Sequence, residues 1–203
     1  MTERELDLAN LQRLQEEGKI GKNENLEEIA DELPKWRKWD FTLSKTNLAY
    51  YGRDSDLDKL IDNTDWRVRS AVAERGRNHD LDILVHDPDE YVRAAVARQG
   101  QDQDLDLLVS DKAWQVRMAV AGRGRCKDLD ILVSDKHCSV RWAVAGQGRD
   151  KDLDILVNDP AWIVRAAVAK QERAQDLDVL ASDPDANVRD VVKRLTTKET
   201  KID

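Results

Sequence analysis

Apolar residues in this chain follow two interleaved spacings. Between Asp80 and Gln103, Val92, Ala95 and Val96 stand at i, i+3 and i+4, the period of one helical face. Asp87-Pro88-Asp89-Glu90 just before them reads as a helix start, with Asp87 as capping acceptor, Pro88 at the first helical position and Glu90 at the capping-box spacing. Gly100 follows as a residue free to turn left-handed, so a helix of about three turns is predicted. The preceding DLDILV is shorter. Leu81, Leu84 and Val85 fit one helical face, whereas Leu81, Ile83 and Val85 would fit a strand. Its two aspartates weigh against a strand and suit a capped helix start, and the predicted element is a short helix, α or 3₁₀.

The same pattern returns every 24 residues. DLD starts at Asp56, Asp80, Asp104, Asp128, Asp152 and Asp176, and the capping column runs Asn63, Asp87, Asp111, Asp135, Asp159, Asp183. Glycine recurs at Gly52, Gly76, Gly100, Gly124 and Gly148, and every copy keeps an arginine after valine, from Arg69 through Arg93, Arg117, Arg141 and Arg165 to Arg189. Such a chain folds as an all-α solenoid, each repeat covering its neighbours. The expected organisation is a helical amino-terminal cap at 1–44, a degenerate first repeat at 45–55, six repeats at 56–195 and a polar, frayed tail at 196–203. Within the cap, helices are expected over Glu3–Glu17 and Asn25–Leu33, with Trp36, Trp39 and Phe41 docking on the first repeat. In the last repeat Lys193 and Thr196 replace the alanine and glycine of their columns, which makes that end polar.

DPDEYVRAAVARQG followed by DQDLDLLVSD resembles the leucine-rich repeat variant family, and the units also resemble HEAT repeats. The likeness covers Asp56 to about Leu195. It implies 24-residue units that alternate an α-helix with a 3₁₀ helix in a right-handed superhelix. Some members of the variant family carry a cysteine-rich iron–sulfur segment ahead of the repeats. Met1–Ser44 contains no cysteine, so that cofactor is not carried over and none is expected.

Charged residues make up 36% of the chain and the net charge is -8, which argues against a general polyanion binder. Residues 1–44 hold seven basic and eleven acidic side chains, so half of the excess lies ahead of the repeats. Cys126 and Cys138 stand in different columns without metal-ligand spacing, which points to free thiols and a reducing compartment. No apolar run reaches membrane-spanning length, and MTERELDLAN lacks the start of a signal peptide. The expected location is cytoplasmic.

Four sets of columns carry candidate chemistry. The arginines of the Val-Arg pairs lie six residues after the capping column, the spacing of an Asp–Arg ladder between repeats, and are read as architecture. The DLD aspartates lack a calcium loop or a histidine at fixed offset and are read as helix caps. His79, His86 and His137 fall in three columns with no catalytic order, so no enzyme and no metal site is expected. Arg75, Arg77, Arg123, Arg125, Arg149 and Arg173, with interspersed glutamines, follow the helix ends. They would track a phosphate backbone, unless they pair with the following aspartates.

The drifting columns lie opposite the apolar face on a helical wheel. One reads Trp66, Glu90, Trp114, Cys138, Trp162, Ala186 and the next Ser70, Ala94, Met118, Trp142, Ala166, Asp190. Large apolar groups where the fold does not require them point to binding. The expected partner-binding face is therefore Trp66, Glu90, Trp114, Met118, Cys138, Trp142, Trp162 and Ile163. The expected function is a non-enzymatic protein–protein interaction module, with homo-oligomerisation through the same face as a close variant. The alternatives are nucleic-acid binding through the Arg/Gln row, or an acidic surface that imitates a nucleic acid and occupies a nucleic-acid-binding protein.

Overall fold

The computed structural model describes residues 41–51 and 54–199, together with Leu8, Gln12, Gln15 and Glu16. Every element among the described residues is a helix. Apart from the four helical positions just named, the helices expected near the amino terminus and the aromatics Trp36 and Trp39 lie outside the described residues.

The chain forms two compact units, Met1–Arg75 and Gly76–Asp203. In the first, α1 (Phe41–Tyr51) packs against α3 (Trp66–Glu74), with the short α2 (Asp54–Leu57) between them in sequence. Ala49, Leu57, Val68, Ala71 and Val72 are fully buried. The expected boundary between cap and degenerate repeat, at 44/45, falls inside α1.

In the second unit, short and long helices alternate. The short ones are α4 (Asn78–Leu84), α6 (Asp102–Leu108), α8 (Cys126–Leu132), α10 (Asp150–Leu156) and α12 (Ala174–Leu180). The long ones are α5 (Glu90–Gln99), α7 (Trp114–Gly122), α9 (Cys138–Ala145), α11 (Trp162–Ala169) and α13 (Ala186–Glu199). Each long helix packs on the next long helix, α4 packs on α5, and each later short helix packs on the long helices flanking it in sequence. This is the solenoid that the period predicts, with a core made in slices. A slice consists of two leucines from a short helix, such as Leu81 and Leu84, and two valines from a long one, such as Val92 and Val96, all buried. Burying each of these side chains favours folding by about 1.5–3 kcal/mol.

The DLD element is α-helical rather than 3₁₀. Its seven residues close i→i+4 bonds, for example Leu81 N–H to Arg77 O at 3.0 Å and Val85 N–H to Leu81 O at 2.9 Å. The long helices also begin two residues later than expected. Asp89 is the N-cap of α5, accepting the Tyr91 N–H at 2.9 Å. The aspartate column stands ahead of the helix in an Asx turn, where Asp87 accepts the Asp89 N–H and Asp111 the Ala113 N–H at 2.8–2.9 Å. Such a turn uses one lone pair of Oδ1, and the carboxylate still accepts a two-pronged arginine, as Asp111 takes Arg93 Nη2 on Oδ1 and Nε on Oδ2.

Gly76, Gly124 and Gly148 adopt left-handed backbone angles near φ +71°, as their column predicts. Gly100 does not. Its φ is -63°, and a side chain there would stand 2.8 Å from Val96 O and from Asp104 Cβ, so close approach is what requires glycine at this site. Glu172 takes the left-handed position in its repeat with φ 58°. In the last repeat, where Thr196 stands in that column, α13 runs on to Glu199 instead of fraying at 196. Nothing forces a turn there, and the Thr197 hydroxyl donates to Lys193 O at 2.7 Å. Residues 200–203 of the expected tail lie outside the described residues.

Candidate functional site

Two arginine columns run through the second unit, and both are engaged within the fold. Arg93, Arg117, Arg141 and Arg165 each direct Nε and Nη2 at the aspartate of the following repeat: Asp111, Asp135, Asp159 and Asp183. Their Nε–Oδ2 distances are 2.5–2.7 Å. Each Nη1 donates back to a carbonyl of its own repeat, such as Arg93 to Asp87 O at 2.7 Å. Arg93 and Arg117 are only 6% exposed. The expected ladder is present, and each rung crosses a repeat boundary in the forward direction.

The second column is the N-cap position of the short helices. Arg77, Arg125, Arg149 and Arg173 grip the buried Asp80, Asp128, Asp152 and Asp176 three residues on, with Nε–Oδ2 at 2.7 Å in every case. Arg125, Arg149 and Arg173 also reach backward into the preceding short helix. Arg125 donates to Asp102 O at 2.7 Å and Asp106 Oδ1 at 2.8 Å, Arg149 pairs with Asp130 at 2.7 Å, and Arg173 with Asp154 at 2.8 Å. Gln101 replaces arginine in one repeat, and there Asp104 accepts the Gln101 N–H instead. Arg75 donates to Ala49 O and Tyr50 O, and Arg123 to Arg98 O. The row that would follow a phosphate backbone therefore has its guanidinium groups already on protein acceptors.

The ionisation of these groups follows from the contacts. Burial opposes charge on Asp111 and Asp135, yet the Arg93 or Arg117 fork and a backbone N–H outweigh it and hold each carboxyl below its ordinary value. The Arg165 fork does the same for Asp183. Lys127 lowers the exposed Asp106, and Lys151 the exposed Asp130.

The expected aromatic face is only partly open. Trp142 on α9 is 44% exposed, and Trp162 and Ile163 at the start of α11 are 43% and 41% exposed. The two helices pack against each other. Trp66, in the first unit, is also exposed. Trp114, Met118, Cys138 and Glu90 are half-buried, and Ala94 and Ala166 are buried, although their column lies opposite the apolar stripe. Trp114 is held by the next repeat: its ring stacks on His137, centroids 4.3 Å apart and planes 3° from parallel. His137 is itself the N-cap of α9, accepting the Ser139 N–H through Nδ1. Trp114 thus belongs in part to the packing.

Sequence reasoning missed two features. Tyr91 is exposed on α5, and Ile83, Leu107, Ile131, Ile155 and Val179 form an exposed column on the short helices. The wheel would have found the column, since Ile83 lies about 200° from Leu81. Reading DLDIL as one apolar run concealed it.

Among the described residues no group of three or more His, Cys, Asp or Glu is placed to hold a metal ion, and no helix is long and apolar enough to cross a membrane. Neither Cys126 nor Cys138 is in a disulfide. No family model matches the chain, and no curated protein matches it. Among solved structures it is similar to one described as a leucine-rich repeat variant with a novel repetitive protein structural motif, at 31% identity and a TM-score of 0.61. The match covers 75% of this chain, which spans 65% of the length of that structure.

Proposed function

On the helical repeat fold that this chain shares with the leucine-rich repeat variant, we propose that it is a non-enzymatic binding module for another protein. The observation that carries this reading is the exposure of Trp142, Trp162 and Ile163 on two packed long helices. The solenoid does not require them, because the same columns hold Glu90 and Ala186, Ala94 and Asp190, and Gln115 in other repeats. Large aromatic groups anchor protein interfaces by filling desolvated pockets. In the first unit, exposed Trp66 is a candidate anchor of the same kind. Half-buried Trp114, Met118 and Cys138 stand in the same columns and complete the proposed face, and Glu90 contributes orientation. Nucleic-acid binding through Arg75, Arg77, Arg123, Arg125, Arg149 and Arg173 draws little support, because these side chains already serve protein acceptors. A cytoplasmic location accords with the two free thiols.

The test is affinity capture from the cells that make the protein, comparing the natural chain with Trp142→Ala/Trp162→Ala. The variant should keep its helical circular dichroism and lose the captured partner. Capture that survives both substitutions would remove these anchors from the interface, and unfolding would assign the rings to the packing.

A further inference from the structure

The other helix of each repeat carries a feature that the aromatic face leaves unused. Ile83, Leu107, Ile131, Ile155 and Val179 stand one per repeat along five consecutive short helices and are 44–59% exposed. The core does not call for them, since Leu81, Leu84 and their equivalents already form the buried face. Single apolar residues on a surface are ordinary, but a column kept apolar through five repeats is a patch. Beside Leu107 an open groove of about 440 Å³ is lined by Val85, His86, Pro88, Leu108 and Lys112, among others.

The surroundings of the column are acidic. Each row residue follows an exposed aspartate: Asp82, Asp106, Asp130, Asp154 or Asp178. The short helices with their N-cap residues (77–84, 101–108, 125–132, 149–156 and 173–180) hold twelve aspartates against six arginines and lysines. The remaining segments of 86–199 hold eleven acidic and thirteen basic residues. Five of the twelve are buried, and Asp106, Asp130 and Asp154 already pair with arginine or lysine, but an excess of six negative charges remains on the helices that bear the apolar row.

We propose that this row is a docking strip for a basic amphipathic helix of a partner protein. An apolar line bordered by carboxylates is complementary to an apolar line bordered by lysines or arginines. The step also fits. Stacked helices lie about 8–10 Å apart, and a heptad of helix rises about 10.5 Å, so one apolar side chain per heptad meets one row residue per repeat. A second copy is the poorer occupant, because it would bring the same aspartates against this strip. The proposal is independent of the Trp142 and Trp162 face, which lies on the long helices.

The experiment titrates the full chain with a labelled synthetic helix of about 28 residues, bearing leucine at every seventh position with lysines beside it. One control peptide carries glutamate for lysine and another serine for leucine. Fluorescence anisotropy should show binding of the first peptide alone, weakening as salt rises. Ile131→Ser/Ile155→Ser should weaken it by at least about tenfold, with unchanged helical signal because both side chains are more than half exposed. Asp82→Lys/Asp178→Lys, which touches only charge, should weaken it as well, and Trp142→Ala/Trp162→Ala should bind like the natural chain. Equal binding of the control peptides, or full affinity in the Ile131→Ser/Ile155→Ser chain, overturns the proposal. So does self-association in sedimentation that Ile131→Ser/Ile155→Ser abolishes, since the occupant would then be a second copy.

Discussion

Arg117 and Arg123 come from the same repeat and have different stakes in the fold. Arg117 is buried, forks onto Asp135 and donates to Asp111 O and Lys112 O, whereas Arg123 is exposed and donates to the single carbonyl of Arg98. Arg117→Ala leaves a buried carboxylate without its partner and should cost about 3–5 kcal/mol. Arg123→Ala removes one solvent-accessible hydrogen bond, worth about 1 kcal/mol. Urea midpoints of the two variants compare them directly, and equal midpoints would deny the ladder its role. The arginine column and its acid partner were legible in the sequence, but the partner's repeat was not. In a 24-residue array, an aspartate six residues before an arginine implies another eighteen residues after it, and spacing cannot distinguish the two. The structure divides the arginine between them, giving Nη1 to the carbonyl behind and the fork to the carboxylate ahead. Trp114 shows a different limit. Its column tolerates a glutamate and an alanine, which suggested a free surface, yet its stacking partner His137 lies in the next repeat and in a column that holds aspartate or alanine elsewhere.

Among the elements, the short helix and its entry turn depend on a left-handed residue that is glycine at 76, 124 and 148 but Glu172 in the fifth turn. A side chain in that conformation costs roughly 1–2 kcal/mol. Glu172→Gly recovers part of this and loses some to the greater freedom of the unfolded chain, so stabilisation on the order of 1 kcal/mol is expected as a rise in the urea midpoint. Gly148→Ala should act in the opposite direction, because it adds the same strain and sets a methyl 2.8 Å from Gln171 Oε1. The sequence revealed the alternation of helices and their buried faces, since a period of 24 repeated the leucines and valines in phase. It misplaced the long-helix starts. Asp87 and Asp89 are both good capping residues, and only the arginine from the previous turn of the ladder's logic, as seen at Asp111 and Arg93, shows why the first aspartate stays outside the helix. Gly100 was misjudged for a similar reason. Its neighbour Gln101 replaces the arginine found at that position in other repeats, and Asp104 then folds back onto the loop.

At the scale of the molecule, stability is tied to carboxylates spread along the second unit. Asp111, Asp135 and Asp183 are held below the ordinary value, so the folded chain keeps them ionised where the unfolded chain would take up protons. Their contribution is fully present above about pH 3.9, the unfolded aspartate value, and is lost as pH falls through the folded values. Thermal midpoints followed by circular dichroism should be nearly level from about pH 7 to 5 and fall below about pH 4. Asp135→Asn should be less stable at neutral pH and lose less on acidification, and an acid profile as steep as that of the natural chain would contradict the assignment. The forward and backward arginines also fix what changes of length the chain can accept. Every rung joins residues at a constant offset, with eighteen positions from Arg93 to Asp111 and again from Arg117, Arg141 and Arg165 to their partners. Excising one 24-residue unit therefore reconnects each donor to an equivalent acceptor, while a cut one residue longer or shorter turns the side chains beyond it in the same helix by about 100° and takes that repeat's rung out of register. The molecule behaves like text written in words of fixed length, in which whole words can be dropped or copied and single letters cannot, so the 24-residue unit is the step by which its length can change.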